Sequence, residues 1–146
     1  MGQFGYGEAL NFQHKLKFRR ITGSFAVCRL PPRAPLPGWA LSGVVTSVTR
    51  TEVELSIVCP AENVPEGVRA EKGWIGFELG GPFPFSQTGI LASFIGPLAE
   101  RGVSIVSIST FDTDYVLVKE EFAGAALEAL QEAGHELLPG TNPGAS

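Results

Sequence analysis

Between residues 74 and 138 the spacing of apolar residues switches from strand to helix and back, twice over, and this order restricts the fold more than any other feature. Ile75, Phe77 and Leu79 alternate as one face of a strand does. Ile90, Leu91, Phe94, Ile95 and Leu98 then recur at helical spacing, with Ser86 or Thr88 in place to cap the start and Gly102 where a left-handed C-cap belongs. Pro97 removes one backbone hydrogen bond inside this helix, but the apolar stripe runs past it, so a single bent helix is expected. Residues 103–110 and 115–119 are β-rich, and Phe111-Asp112-Thr113-Asp114 between them reads as the turn of an antiparallel hairpin. Phe122, Ala126, Leu127, Leu130 and Ala133 mark a last helix, entered through Glu120 and Glu121 at its positive end and stopped by Gly134. Residues 135–138 supply a closing strand. The result is an α+β chain with the βαββαβ order of a ferredoxin-like layer, helices on one face of an antiparallel sheet.

The first half repeats that order in degenerate form. Leu16 and Phe18, then Phe25 and Val27, read as two strand segments on either side of a turn at Thr22-Gly23-Ser24. Pro31, Pro32, Pro35 and Pro37 fence a short helical turn, where Trp39 is expected to dock on the sheet. Val44, Val45 and Val48, followed by Val53, Leu55 and Ile57, flank a polar turn at Arg50-Thr51-Glu52 and predict a hairpin with one buried face. The expected organisation is a disordered extension over 1–14, a degenerate subdomain over 15–73, a full one over 74–138 and a disordered tail over 139–146.

With 146 residues the chain can hold one ordinary domain or two very small ones sharing a core. Its net charge of −4 gives no reason to expect nucleic acid or an anionic membrane as partner, and the basic cluster Lys15, Lys17, Arg19 and Arg20 reads as a solvated strand face. No segment has the pattern of a secretory signal or the length of a membrane span. Cys28 and Cys59 sit in apolar segments as buried free thiols would, which places the chain in a reducing compartment, the cytoplasm.

Catalytic signatures are missing: there is no P-loop or nucleophile elbow, and no cofactor motif in a strand context. His14 and His135 are the only histidines, neither at a metal-ligand spacing from the cysteines, so no metal is expected. His135 follows a helix end, where a cation is favourable for structural reasons alone. Asp112 and Asp114 could serve as acid and base or hold a divalent ion. Aspartates also bond to their own backbone in turns, and the expectation is a protein that is not an enzyme.

Residues Thr88-Gly89-Ile90-Leu91-Ala92, Pro97-Leu98-Ala99, Val103-Ser104-Ile105 and the run Ser109-Thr110-Phe111-Asp112-Thr113-Asp114-Tyr115-Val116-Leu117-Val118 resemble ACT domains. The branch looks like the bacterial relatives of the cytosolic arginine sensors, and Ser47-Val48-Thr49-Arg50 with Leu55-Ser56-Ile57-Val58 is similar to the partner subdomain of that branch. The resemblance implies tandem ACT-type subdomains that bind an amino acid between neighbouring units and form a homodimer. It also implies which residues touch the ligand. Thr110, Phe111 and Asp114 match contact positions, Thr113 stands where the sensor has an aromatic, Gly89 and Ile90 match helix-start contacts, and Ser104 and Ile105 match contacts from the facing unit. Gln87 stands where the sensor has a carboxylate, which removes a negative charge and puts arginine specificity in doubt. A decayed site would leave a structural or protein-interaction module instead.

The residues themselves point the same way. Unpaired N–H groups at a helix start near Ser86–Gly89 suit a carboxylate, and Asp114 suits an ammonium, so an α-amino acid or similar small polar metabolite fits between them.

Overall fold

A computed structural model describes residues 14–84 and 86–140. In chain order the elements are strand β1 (Lys17–Leu30), a 3₁₀ turn (Gly38–Leu41), β2 (Ser47–Arg50), β3 (Leu55–Pro60), a second 3₁₀ turn (Ala61–Asn63) and β4 (Arg69–Leu79). Helix α1 (Ile90–Glu100), β5 (Ile105–Ser109), β6 (Asp114–Lys119), a third 3₁₀ turn (Glu120–Phe122), helix α2 (Ala123–Glu132) and β7 (Glu136–Leu138) complete it. The second half has the βαββαβ order of a ferredoxin-like layer, and the first half keeps that order with 3₁₀ turns in place of both helices.

All seven strands form one sheet in the order β2-β3-β1-β4-β6-β5, with β7 also paired to β1. The hairpin between β5 and β6 and the pairing of β4 with β6 are antiparallel. β7 runs parallel to the first residues of β1, Lys17 opposite Glu136 and Arg19 opposite Leu138.

β1 is one 14-residue strand, not two segments around a turn. Residues 18–21 and 25–29 both pair with β4, and the register shifts between Ile21 and Phe25, where Gly23 has φ 96°. Thr22-Gly23-Ser24 is therefore a bulge. Its composition imitates a turn, but the strand continues because β4 pairs with both of its sides. β4 likewise begins at Arg69, five residues before the apolar alternation makes it visible.

Both helices lie on one face, where Ile90, Phe94 and Leu98 of α1 and Ala126, Ala129 and Leu130 of α2 pack on Phe18, Ile75, Phe77, Leu79, Val116 and Val118. Phe18, Phe77 and Phe94 form an edge-to-face trio with ring centroids 5.2–6.2 Å apart. On the opposite face Ile21 and Leu117 close over Gly76, where an added Cβ would stand 2.7 Å from Ile21 Cδ1. A third cluster, Ala26, Cys28, Ala40, Leu55, Ile57 and Cys59, fills the first half, with Ala40 fully buried and Trp39 only partly so. Val44 and Val53 are 61% and 66% exposed, against the expected buried face, because β2 is an edge strand and neither residue belongs to it.

The thiols of Cys28 and Cys59 are free and buried. Among the described residues no helix is long and apolar enough to cross a membrane.

Candidate functional site

The hairpin turn joining β5 to β6 is locked by its own polar groups. Thr110 N–H donates to the Thr113 carbonyl at 2.8 Å, the Thr110 hydroxyl donates to the same oxygen at 3.0 Å, and Thr113 N–H donates back to Thr110 Oγ1 at 3.2 Å. The turn is also tied to the segment leaving β4. Thr113 Oγ1 donates to the Leu79 carbonyl at 2.9 Å, and Phe83 N–H donates to the Asp112 carbonyl at 2.9 Å. Gly81 is what permits this approach: a Cβ there would stand 2.8 Å from the Asp112 oxygen and 3.0 Å from Thr113 Cβ.

Helix α1 starts beside this turn. Its N-cap is Gly89 in the left-handed region, φ 80°, with no side-chain cap hydrogen bond. The expected caps Ser86 and Thr88 do not serve, because a left-handed Gly89 occupies the cap position itself; the Thr88 carbonyl is instead 3.0 Å from His14 Nε2. The first N–H groups of the helix thus lack a capping side chain.

Between the helix start, the residue 83–84 segment and the hairpin turn lies a cleft of about 210 Å³. Gln87, Ile90, Thr110, Phe111, Thr113 and Asp114 all line it, so six of the nine residues singled out from sequence meet at one place. Phe83, Pro84, Ser109 and Asp112 complete the lining. Asp114 is half-buried and accepts a 2.5 Å hydrogen bond from the Ser109 hydroxyl, its partner across the strand pair. Phe111 is 79% exposed at the rim. Gly89 stands at the helix cap outside the lining. Ser104 and Ile105 are elsewhere as well: Ser104 is exposed just before β5, and Ile105 begins the strand whose other end, Ser109, reaches the cleft. Four residue steps along the strand put Ile105 about 13 Å from Ser109.

Sequence reasoning missed Ser109 and the residue 83–84 segment. Pairing the hairpin from its turn outward would have set Ser109 opposite Asp114, whereas nothing local in Phe83-Pro84 announces its contact with the turn.

His14 and His135 hold structural positions. His14 N–H donates to Ser93 Oγ at 3.1 Å, so the end of the expected disordered extension is docked on α1; residues 1–13 and 141–146 lie outside the described residues. His135 is 4% exposed, and burial pushes its imidazole below the ordinary value, with Lys15 adding to the effect and a hydrogen bond to the Ser93 carbonyl opposing it. The structural role expected of His135 is that of a cation at a helix end; the ring is instead buried, where the neutral form is favoured. Among the described residues no group of three or more His, Cys, Asp or Glu could hold a metal ion.

This fold, with a hairpin turn facing a helix start, is that of an ACT domain. A family model described as ACT domain matches residues 69–132, and a model of an N-terminal domain matches residues 23–67. A crystal structure of an Agobacterium tumefaciens protein is 40% identical, with a TM-score of 0.84, covering 88% of this chain and 96% of that one. The human cytosolic arginine sensor for mTORC1 subunit 1 is 42% identical over 59 residues, 40% of this chain but 18% of the sensor. The regulatory subunit of aspartate kinase from Thermus thermophilus shares the fold at 16% identity, with a TM-score of 0.52 over 75% of this chain and 91% of that one. The chain is an ACT-domain protein related to the cytosolic arginine sensors.

Proposed function

We propose that this protein is a regulatory module that binds an amino acid or similar small polar metabolite in the cleft between the start of α1 and the β5–β6 turn. The observation that carries the reading is the opposition across that cleft of a helix start without a side-chain cap and the Asp114 carboxylate. Helix N–H groups donate to a ligand carboxylate, and Asp114 accepts from its ammonium through a charge-assisted hydrogen bond. Gln87, at the edge of the same space, offers an amide and no charge, so a neutral polar side chain is favoured over a guanidinium. The names of the relatives agree with the class, since one is an arginine sensor and another the regulatory subunit of an amino-acid kinase.

Ser104 and Ile105, at the far end of β5, supply the second wall of a site on another copy, so the working unit is a homodimer with two equivalent sites. Residues 15–73 and 74–138 act in it as two subdomains that share β1. The protein works in the cytoplasm, needs no cofactor, contacts neither nucleic acid nor membrane, and carries out no reaction.

A thermal-shift screen over the standard amino acids tests this. A ligand at a hundredfold excess over its Kd adds ~2.7 kcal/mol and raises the melting temperature. If none shifts it, the site has decayed and the protein is a structural or protein-interaction module. Light scattering that returns 15.5 kDa at micromolar concentration removes the dimer, and amino-acid turnover abolished by Asp112→Asn makes the protein an enzyme.

A further inference from the structure

Pro97 lies inside α1, and a proline has no N–H to give to the carbonyl four residues earlier. That carbonyl belongs to Ser93, a buried residue. It is met instead from outside the helix, by His135 Nε2 at 2.9 Å. The other ring nitrogen, Nδ1, lies 3.1 Å from the backbone N–H of Leu16. These partners settle the proton. An N–H can only donate, so Nδ1 is the acceptor, and a carbonyl can only accept, so Nε2 carries the hydrogen. A second proton would face Nδ1–H against Leu16 N–H. Around the ring stand Phe94 of α1, 5.5 Å away centroid to centroid, and Lys15 of the segment entering β1, whose ammonium bonds the Ala133 carbonyl at 3.0 Å. Both burial and Lys15 favour the neutral form.

Ser93 relays this to the cleft. Its hydroxyl and its backbone N–H both donate to the Gly89 carbonyl, at 2.7 and 2.9 Å, and Gly89 is the cap between the cleft residues Gln87 and Ile90.

We propose that neutral His135 is a positioning residue for the cleft: through Leu16 and Ser93 it holds the first turn of α1, and protonation of its ring loosens that turn and weakens ligand binding. This rests on the amino-acid site argued above. It makes Pro97 and His135 one device, in which a residue that breaks the helical ladder leaves an acceptor to which a side chain from the corner after α2 donates.

The test begins without ligand. Nitrogen-15 NMR of the wild-type protein should show the Nε2–H tautomer, and the amide signals of residues 89–92 should move in step with the His135 titration. Pro97→Ala returns an N–H to the Ser93 carbonyl, so in that variant the same amides should no longer follow His135. Calorimetry with L-glutamine and L-arginine then reads the site: His135→Phe should weaken whichever binds about tenfold, and Pro97→Ala in the His135→Phe background should recover affinity to within about threefold. Amides 89–92 that ignore His135 protonation, or a double variant no better than His135→Phe, would overturn the proposal. Should His135→Phe fail to fold, the titrations of the wild type and Pro97→Ala still decide it. If the wild type binds neither amino acid while the amides do follow His135, the functional reading fails and the positioning role stands.

Discussion

His135 Nε2–H donates to the carbonyl of Ser93 at 2.9 Å, supplying the hydrogen bond that a helical N–H at position 97 would otherwise give. A buried carbonyl left without a partner costs about 1–3 kcal/mol, and at this proline the ring supplies a partner. The arrangement also ties the segment entering β1, in the first half of the chain, to α1 and to the corner after α2.

Stability should therefore depend on pH below neutrality. Burial depresses the folded-state pKa of His135 relative to its ordinary value of 6.5, so in that range the unfolded chain takes up a proton that the folded one refuses. Stability is then complete above about pH 6.5 and falls as the pH drops, until the folded ring protonates too. Urea midpoints between about pH 8 and about pH 5 should fall on the acid side in the wild type and change less in His135→Asn. A midpoint that rises on acidification would contradict the neutral ring.

Asp114→Ala should weaken amino-acid binding by roughly 1.5–3 kcal/mol, about ten- to a hundredfold, since it removes the carboxylate facing the ligand ammonium. Asp112→Ala should do much less. Although Asp112 also lines the cleft, its contribution to holding the site is its backbone carbonyl, bonded to Phe83 N–H, and the substitution keeps that. Calorimetry showing equal losses would move the ligand away from Asp114.

Gly81→Ala places a methyl group 2.8 Å from the Asp112 oxygen, so the residue 81–84 segment and the hairpin turn must separate. Overpacking of this kind costs about 1–3 kcal/mol, and here it should also lower amino-acid affinity because the turn carries Asp114. Denaturation and calorimetry on the same sample check both, and an unchanged urea midpoint would show that the turn gives way freely.

Burial raises the thiols of Cys28 and Cys59, the latter to about 11, so neither is a reactive thiolate near neutral pH. An aromatic disulfide reagent should label both only as fast as the first half opens. Prompt labelling of the native protein would mean that the cluster around Ala40 and Leu55 is looser than its full burial implies.

What could be read from sequence was local. The face of α1 that carries Phe94 and Leu98 follows from spacing along one helix, and the β5–β6 hairpin follows from two β-rich runs around a polar turn. Pairing partners remote in sequence were invisible. No periodicity in residues 15–30 says that Phe18 packs with Phe94 while Phe25, on the same strand, serves the opposite face. The helix cap was misread for a related reason: Ser86 and Thr88 have the right chemistry, but the backbone conformation at Gly89 decides which residue stands at the cap. Six site residues nevertheless met in one cleft, because Gln87, Ile90 and the turn residues belong to elements whose ends the sequence marks clearly.

β1 serves three clusters at once, Phe18 with the helices, Ile21 and Phe25 with the opposite face, and Cys28 with the cluster around Leu55. The stretch recognisable as an ACT domain, residues 69–132, is consequently not a unit that can be cut out and moved. Excised, it would lose the strand paired with β4 and one ring of the Phe18, Phe77 and Phe94 trio, exposing an apolar groove where β1 had lain. Any graft, truncation or fusion that is to keep the cleft intact has to carry the chain from His14 onward.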